Sequence, residues 1–237
     1  MKIIDKETGK RVGSKNSEIK SINKKLKEED PIVKNAEKDQ ETEEFSPMDP
    51  PDAYDKKRVI GANYEAMDKH VKELMDEHAE LEKIAAKFET ALIEFKTSGF
   101  VFTKEINDTF NEFFTFFDEH ILPHNRKEER HLFPILHQRL IESGEHGVGD
   151  NPETAVDLME DDHVKFIQLA TLSFNLLGLG SRLTDLNSRA LTYDLACNSG
   201  KELVELLRLH VYREDNTLFP LAQKLLTAED FAKIHAH

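Results

Sequence analysis

Two short stretches of the chain carry the residue types that bind metals. His124-Asn125-Arg126-Lys127-Glu128 and His210-Val211-Tyr212-Arg213-Glu214 each set an imidazole and a carboxylate four residues apart. On a helix that spacing places both side chains on one face, one turn apart. The flanks repeat as well. Glu128-Glu129-Arg130-His131-Leu132-Phe133-Pro134 matches Glu214-Asp215-Asn216-Thr217-Leu218-Phe219-Pro220 at an offset of 86 residues. Upstream, His78 in Leu74-Met75-Asp76-Glu77-His78 matches His163 in Leu158-Met159-Glu160-Asp161-Asp162-His163 at an offset of 85. Each is followed at the third position by an apolar residue, Leu81 or Phe166. The pattern is that of a duplicated helix pair, each half supplying one His from its first helix and a His-x-x-x-Glu from its second.

The pooled set is His78, His124, Glu128, His163, His210 and Glu214. A single histidine on an apolar helix face is an ordinary core residue. Six polar residues at matching places in a duplicated pattern would be costly to bury without a partner, and a metal relieves that cost. Imidazole with carboxylate suits iron, and also copper or zinc. The donor count favours two ions. Four nitrogens and the four oxygens of two bridging carboxylates give each ion four donors, which leaves room for a bridging group and an exchangeable ligand. His120, one turn before His124, and His131 are further candidates; the remaining histidines are expected to face solvent. A Glu-x-x-His reading, Glu128 with His131 and Glu160 with His163, would suit a ferritin-like oxidase. It leaves His78, His210 and Glu214 without a role.

Four helices must position these residues. Met67, Val71, Leu74, His78, Leu81, Ala85, Phe88, Leu92 and Phe95 alternate steps of four and three, one continuous apolar seam ending near Gly99. A second helix is predicted from about Thr103 to Ile141, with a distortion at Pro123. A third carries Val156, Met159, His163, Phe166, Ala170, Phe174 and Leu177, with Asn151 as its N-cap and Pro152 at its first position. A fourth begins between Thr184 and Arg189 and carries Leu203, Leu207, His210, Glu214, Leu218, Leu221 and Leu225. Thr227 to Asp230 is expected to cap a short final helix. No segment reads as a strand. Short connections make an all-α, antiparallel up-down-up-down four-helix bundle the expected fold, built over residues 58–237.

Residues 1–57 differ. Rich in Lys, Glu, Asp, Ser and Asn and closed by Ser46-Pro47-Met48-Asp49-Pro50-Pro51, they read as a flexible polar tail. The whole chain of 237 residues has a formal charge of −14, carried mostly by the bundle. That balance argues against nucleic acid and against an anionic membrane surface as partners. One cysteine, Cys197, excludes disulfide scaffolds and multi-cysteine metal sites. With no apolar run of bilayer length and no secretory leader, a cytoplasmic protein is expected.

Residues 60–225 resemble the hemerythrin-like, HHE cation-binding domains. The features that carry the likeness are His78, His124-x-x-x-Glu128 before Leu132-Phe133-Pro134, His163, and His210-x-x-x-Glu214 before Leu218-Phe219-Pro220. The resemblance implies a four-helix bundle holding two iron ions as an oxo- or hydroxo-bridged di-iron centre. Glu128 and Glu214 would bridge, and oxygen, nitric oxide or peroxide would be the bound or sensed partner. Oxygen-carrying hemerythrins add a fifth His in a His-x-x-x-His pair; here Ile167 stands at that place. Their fourth helix has His-x-x-x-x-Asp, a spacing Asp215 would meet, whereas the internal repeat points to Glu214. The six-ligand set is similar to that of bacterial iron-sulfur cluster repair proteins, whose N-terminal domain contains cysteine, as this tail does not. Three functions follow: binding or sensing of a small molecule at the irons, a di-iron enzyme of nitric oxide or peroxide reduction or cluster repair, and a metal-free helical interaction module.

Overall fold

The computed structural model describes residues 64–147 and 152–235. The expected tail, residues 1–57, lies outside them. A 3-10 turn, Tyr64–Ala66, leads into α1, Lys69–Thr97, which is capped by the Asp68 carboxylate accepting from the His70 N–H. The chain reverses through Gly99 and Phe100, both at positive φ, and Phe100 N–H returns to the Phe95 carbonyl. α2 spans 104–143 in contiguous segments: α-helix Lys104–Phe116, π-helix Phe117–Ile121, α-helix Leu122–Lys127, π-helix Glu128–Leu132 and α-helix Phe133–Ser143. α3 is Ala155–Gly180. α4 spans 186–225, with α-helix Leu186–Arg213, π-helix Glu214–Leu218 and α-helix Phe219–Leu225. The short α5, Ala228–His235, closes the molecule. There is no strand among the described residues.

Each π-helix ends two residues before a proline: Ile121 before Pro123, Leu132 before Pro134, and Leu218 before Pro220. Proline lacks an N–H and its ring crowds the carbonyl four residues back. A wider turn just ahead of it accommodates both defects. In the last two cases the wide turn begins at Glu128 and at Glu214, and the N–H of Phe133 or Phe219 reaches five residues back to that glutamate's carbonyl. Single π turns in helices often mark functional sites.

The third helix starts later than its sequence suggests. Thr154, not Asn151, is the N-cap: its hydroxyl accepts from the Val156 N–H, and Asp157 reaches back to the Thr154 N–H to complete a capping box. Asn151 lies outside the described residues. α3 buries the expected seam at every position except Phe174. Phe174 is 59 % exposed, whereas Ser173 is buried and donates to the Ala196 carbonyl. The cause is close approach of α3 to α4. A Cβ at Gly180 would lie 2.4 Å from the Tyr193 ring, and one at Gly200 would lie 2.9 Å from Leu92 and 3.1 Å from the Ser173 hydroxyl. Small residues line this contact, so the bulky ones are displaced to its flank.

α1 packs on α2 and α4. Lys96 at the end of α1 pairs with Asp194 near the start of α4, and the Asp68 N–H at its beginning donates to Gln223 near the end of α4. Phenylalanines fill the core between these helices: Phe88 stacks on Phe113 at 3.8 Å between centroids and meets Phe110 edge-on at 5.5 Å. Burying each such ring contributes about 1.5–3 kcal/mol. Toward the other end Leu132, Leu136, Leu140, Met159, Phe219 and Phe231 are buried as well. Between the two lies the polar cluster.

Candidate metal centre

The structure brings together all six residues singled out above. They form two groups, His78, His124, Glu128, Glu214 and Glu128, His163, His210, Glu214, whose potential ligand atoms lie within 4.8 Å of one another. Both groups share both glutamates. Each of the six is 5 % exposed or less.

The imidazole Nε2 atoms face inward in pairs, His78 to His124 at 3.1 Å and His163 to His210 at 3.3 Å. Glu128 lies between the two pairs, Oε1 at 3.5 Å from His124 Nε2 and Oε2 at 3.4 Å from His163 Nε2. Glu214 Oε2 is 3.2 Å from both His78 Nε2 and His210 Nε2. None of the four carboxylate oxygens has a hydrogen-bond partner. Donor atoms that crowd to roughly 3.0–3.4 Å around one point are spaced as ligands of one ion, each about 2.0–2.2 Å from it. Energetics point the same way. A buried carboxylate without a counter-charge costs several kcal/mol, and two would consume much of the roughly 5–15 kcal/mol that stabilises a domain.

The outer nitrogens explain why Nε2 faces in. His78 Nδ1–H donates to Asp215 at 2.8 Å, His124 Nδ1–H to Glu77 at 2.7 Å, and His163 Nδ1–H to Glu129 at 2.8 Å. His210 Nδ1 lies 3.7 Å from Asp162. A carboxylate on Nδ1 fixes the tautomer and leaves the Nε2 lone pair free for a metal. Sequence reasoning missed Glu77, Glu129 and Asp162, and Asp215 was weighed only as a ligand. The signal was present: Glu77 and Asp162 match at offset 85, and Glu129 and Asp215 at offset 86. The Leu-Phe-Pro motifs have a related role. Phe219 stacks on His78 at 5.7 Å and Phe133 on His163 at 5.8 Å, so each ring supports a histidine of the opposite half.

Electrostatics favour cations here. Burial is the largest influence on His78 and would lower its pKa, but the Asp215 hydrogen bond and Glu214 outweigh it and raise the value to about 10. His210 rises to about 9, burial again being outweighed by the charge of Glu214. Glu214 is held well below the ordinary carboxylate range, against burial, by His210 and His78. Glu77 is lowered to about 2, burial being overcome by its bonds to His124 and Lys127. Glu214 holds positive charge beside it, and a metal ion competes with protons for the same nitrogens.

The other histidines lie elsewhere. His120 is exposed and stacks on Phe116 at 4.7 Å. His131 belongs to neither donor group, and Glu160 is exposed, so the ferritin-like pairing is not assembled. His70 and His137 are half-buried rather than solvent-facing, His137 bonding to Thr154 Oγ1 at 2.9 Å. His146 and His235 are exposed as expected. No described helix is long and apolar enough to cross a membrane.

Neither the curated proteins nor the solved structures gave a match to the chain. Residues 69–222 do match the family model of the hemerythrin HHE cation-binding domain, a span that holds all six donors, the outer carboxylates and both Leu-Phe-Pro motifs. With a buried histidine and glutamate cluster inside an all-helical bundle, the chain belongs to the hemerythrin HHE cation-binding family.

Proposed function

We propose that this chain holds two iron ions at its histidine and glutamate cluster and uses them to bind or sense oxygen, nitric oxide or peroxide. The observation that carries this reading is the pair of four-residue donor groups sharing both glutamates, with no carboxylate oxygen otherwise bonded. His78 and His124 would serve one ion, His163 and His210 the other, with Glu128 and Glu214 common to both. Paired iron with open coordination positions supplies reversible redox chemistry toward small diatomic molecules. In the same reading the helices run up-down-up-down.

The protein's own contribution is enclosure and orientation. Phe133 and Phe219 hold two imidazoles flat, and Phe166 meets His210 edge-on at 4.9 Å. Glu77, Glu129 and Asp215 fix three of the tautomers. Exposure of 5 % or less at every donor admits only small molecules without local opening of the bundle. Phe110, Phe113 and Phe117 belong to the apolar core next to the cluster. An uncharged diatomic partitions into such packing and water does not.

Metal analysis with an optical spectrum, recorded reduced and then exposed to oxygen or nitric oxide, tests the reading. Two irons per chain with oxo-bridge absorption in the near ultraviolet are expected. Stoichiometric zinc, or no metal, overturns it. Turnover assays then divide the functions: reversible uptake without consumption marks a binder or sensor, and catalytic loss of nitric oxide or peroxide marks an enzyme. Restoration of a damaged iron-sulfur cluster in a second protein would mark a repair protein.

A further inference from the structure

The two halves diverge at one outer carboxylate. Glu77 and Asp162 hold matching places, each just before the single histidine of its half, and Lys127 and Arg213 match as well, each three residues after the second histidine. In the first half Glu77 divides its two oxygens. Oε2 accepts from His124 Nδ1–H at 2.7 Å while Oε1 pairs with Lys127. In the second half Asp162 Oδ2 accepts from Arg213 Nη1 at 3.2 Å, and His210 Nδ1 stays 3.7 Å from that same oxygen. The other oxygen, Oδ1, faces Lys165 at 3.7 Å. A separation of 3.7 Å is outside hydrogen-bond range, and the buried His210 Nδ1 has no other partner. Aspartate is one methylene shorter than glutamate and cannot serve both the cation and the imidazole from here.

We propose that Asp162 makes the two metal positions unequal: the His78 and His124 position is the tighter and fills first, and the His163 and His210 position is the weaker one, where ions exchange. This rests on the metal reading above. An imidazole whose Nδ1–H donates to a carboxylate is a stronger base at Nε2, and loss of such a partner lowers metal affinity about 10–100-fold. Three of the four histidines have that partner and His210 does not. Asp162 acts through His210, so it is a positioning residue, and its effect appears in filling order rather than only in activity.

The test is a zinc titration of the full-length, metal-stripped protein labelled with 15N-histidine. In the wild type the first equivalent is expected to move the ring signals of His78 and His124, and the second those of His163 and His210, with affinities about tenfold or more apart. Asp162→Glu lengthens the side chain and should abolish the order. Because Asp162 is buried, Glu77→Asp provides the second variant: its side chain is 39 % exposed, and shortening it should deprive His124 and likewise abolish the order. Simultaneous filling of both positions in the wild type, the reverse order, or an order that survives both variants overturns the inference while leaving two-metal binding intact. Absence of any bound metal overturns the metal reading and the inference together.

Discussion

The donor cluster and the phenylalanine core are equally buried but are stabilised by opposite means. Phe88, Phe95 and Phe113 are at most 1 % exposed and need only their neighbours, since removing apolar surface from water is favourable in itself. Glu128 and Glu214, at 0 %, lose hydration with nothing in the protein bonded to their oxygens. The first region is complete as polypeptide. The second is complete only with cations, whether protons on the imidazoles or metal ions.

Removing the charge from the cluster is the strongest way to break this contrast. The double variant Glu128→Gln and Glu214→Gln should lose all bound metal, the largest effect expected here. Stripped of metal, it should also unfold at a lower temperature than stripped wild type near neutral pH, because the carboxylate that pairs with His78 and His210 is gone. Calorimetry of both metal-free proteins checks this; an unchanged or higher midpoint for the variant would remove the imidazolium-carboxylate pairing from the account. Phe88→Ala should separate the two regions, costing about 3–5 kcal/mol in denaturant unfolding while metal content stays unchanged.

Alkaline pH sharpens the comparison. In the metal-free protein His78 and His210 are raised to about 10 and about 9. Stabilisation from a raised imidazole is full below its unfolded value near 6.5 and is lost as pH rises through the folded value. The metal-free protein should therefore weaken as pH rises through 9 and 10, and the metal-loaded protein should not. Equal alkaline stability of the two forms would remove the imidazolium ions from the account. The smallest effect lies far from both regions: Thr154→Ala at the N-cap of α3 should cost about 1 kcal/mol and leave metal binding unaltered, as a metal titration would show.

The clustering of the six candidate donors was legible in the sequence because helical spacing and duplication are both one-dimensional signals. His78 stands on an apolar seam, and His124 with Glu128 recurs as His210 with Glu214. The outer carboxylates were harder to read, since Glu77 and Glu129 are half-exposed and resemble the many surface acids of the chain. Only their matching positions in the repeat set them apart. Phe174 departs from the seam because periodicity describes a helix alone, whereas the small residues Ser173, Gly180 and Gly200 let α4 approach so closely that Ser173 takes the buried place and Phe174 is left exposed. The π-helices had a local mark in Pro123, Pro134 and Pro220, but only the first was read as a distortion.

The crossing of support between halves has a consequence for how such a site can exist at all. His78 depends on Asp215 and Phe219, and His163 on Glu129 and Phe133, so each half holds what the other lacks. This is the reciprocity of a twofold interface, in which one patch on each partner completes the same patch on the other. A lone helix pair could not close the shell around its own first histidine, but two identical pairs associated face to face could. Joining them in one chain makes the site independent of protein concentration. It also lets the two positions differ, as Asp162 and Glu77 do, which an exact homodimer could never allow.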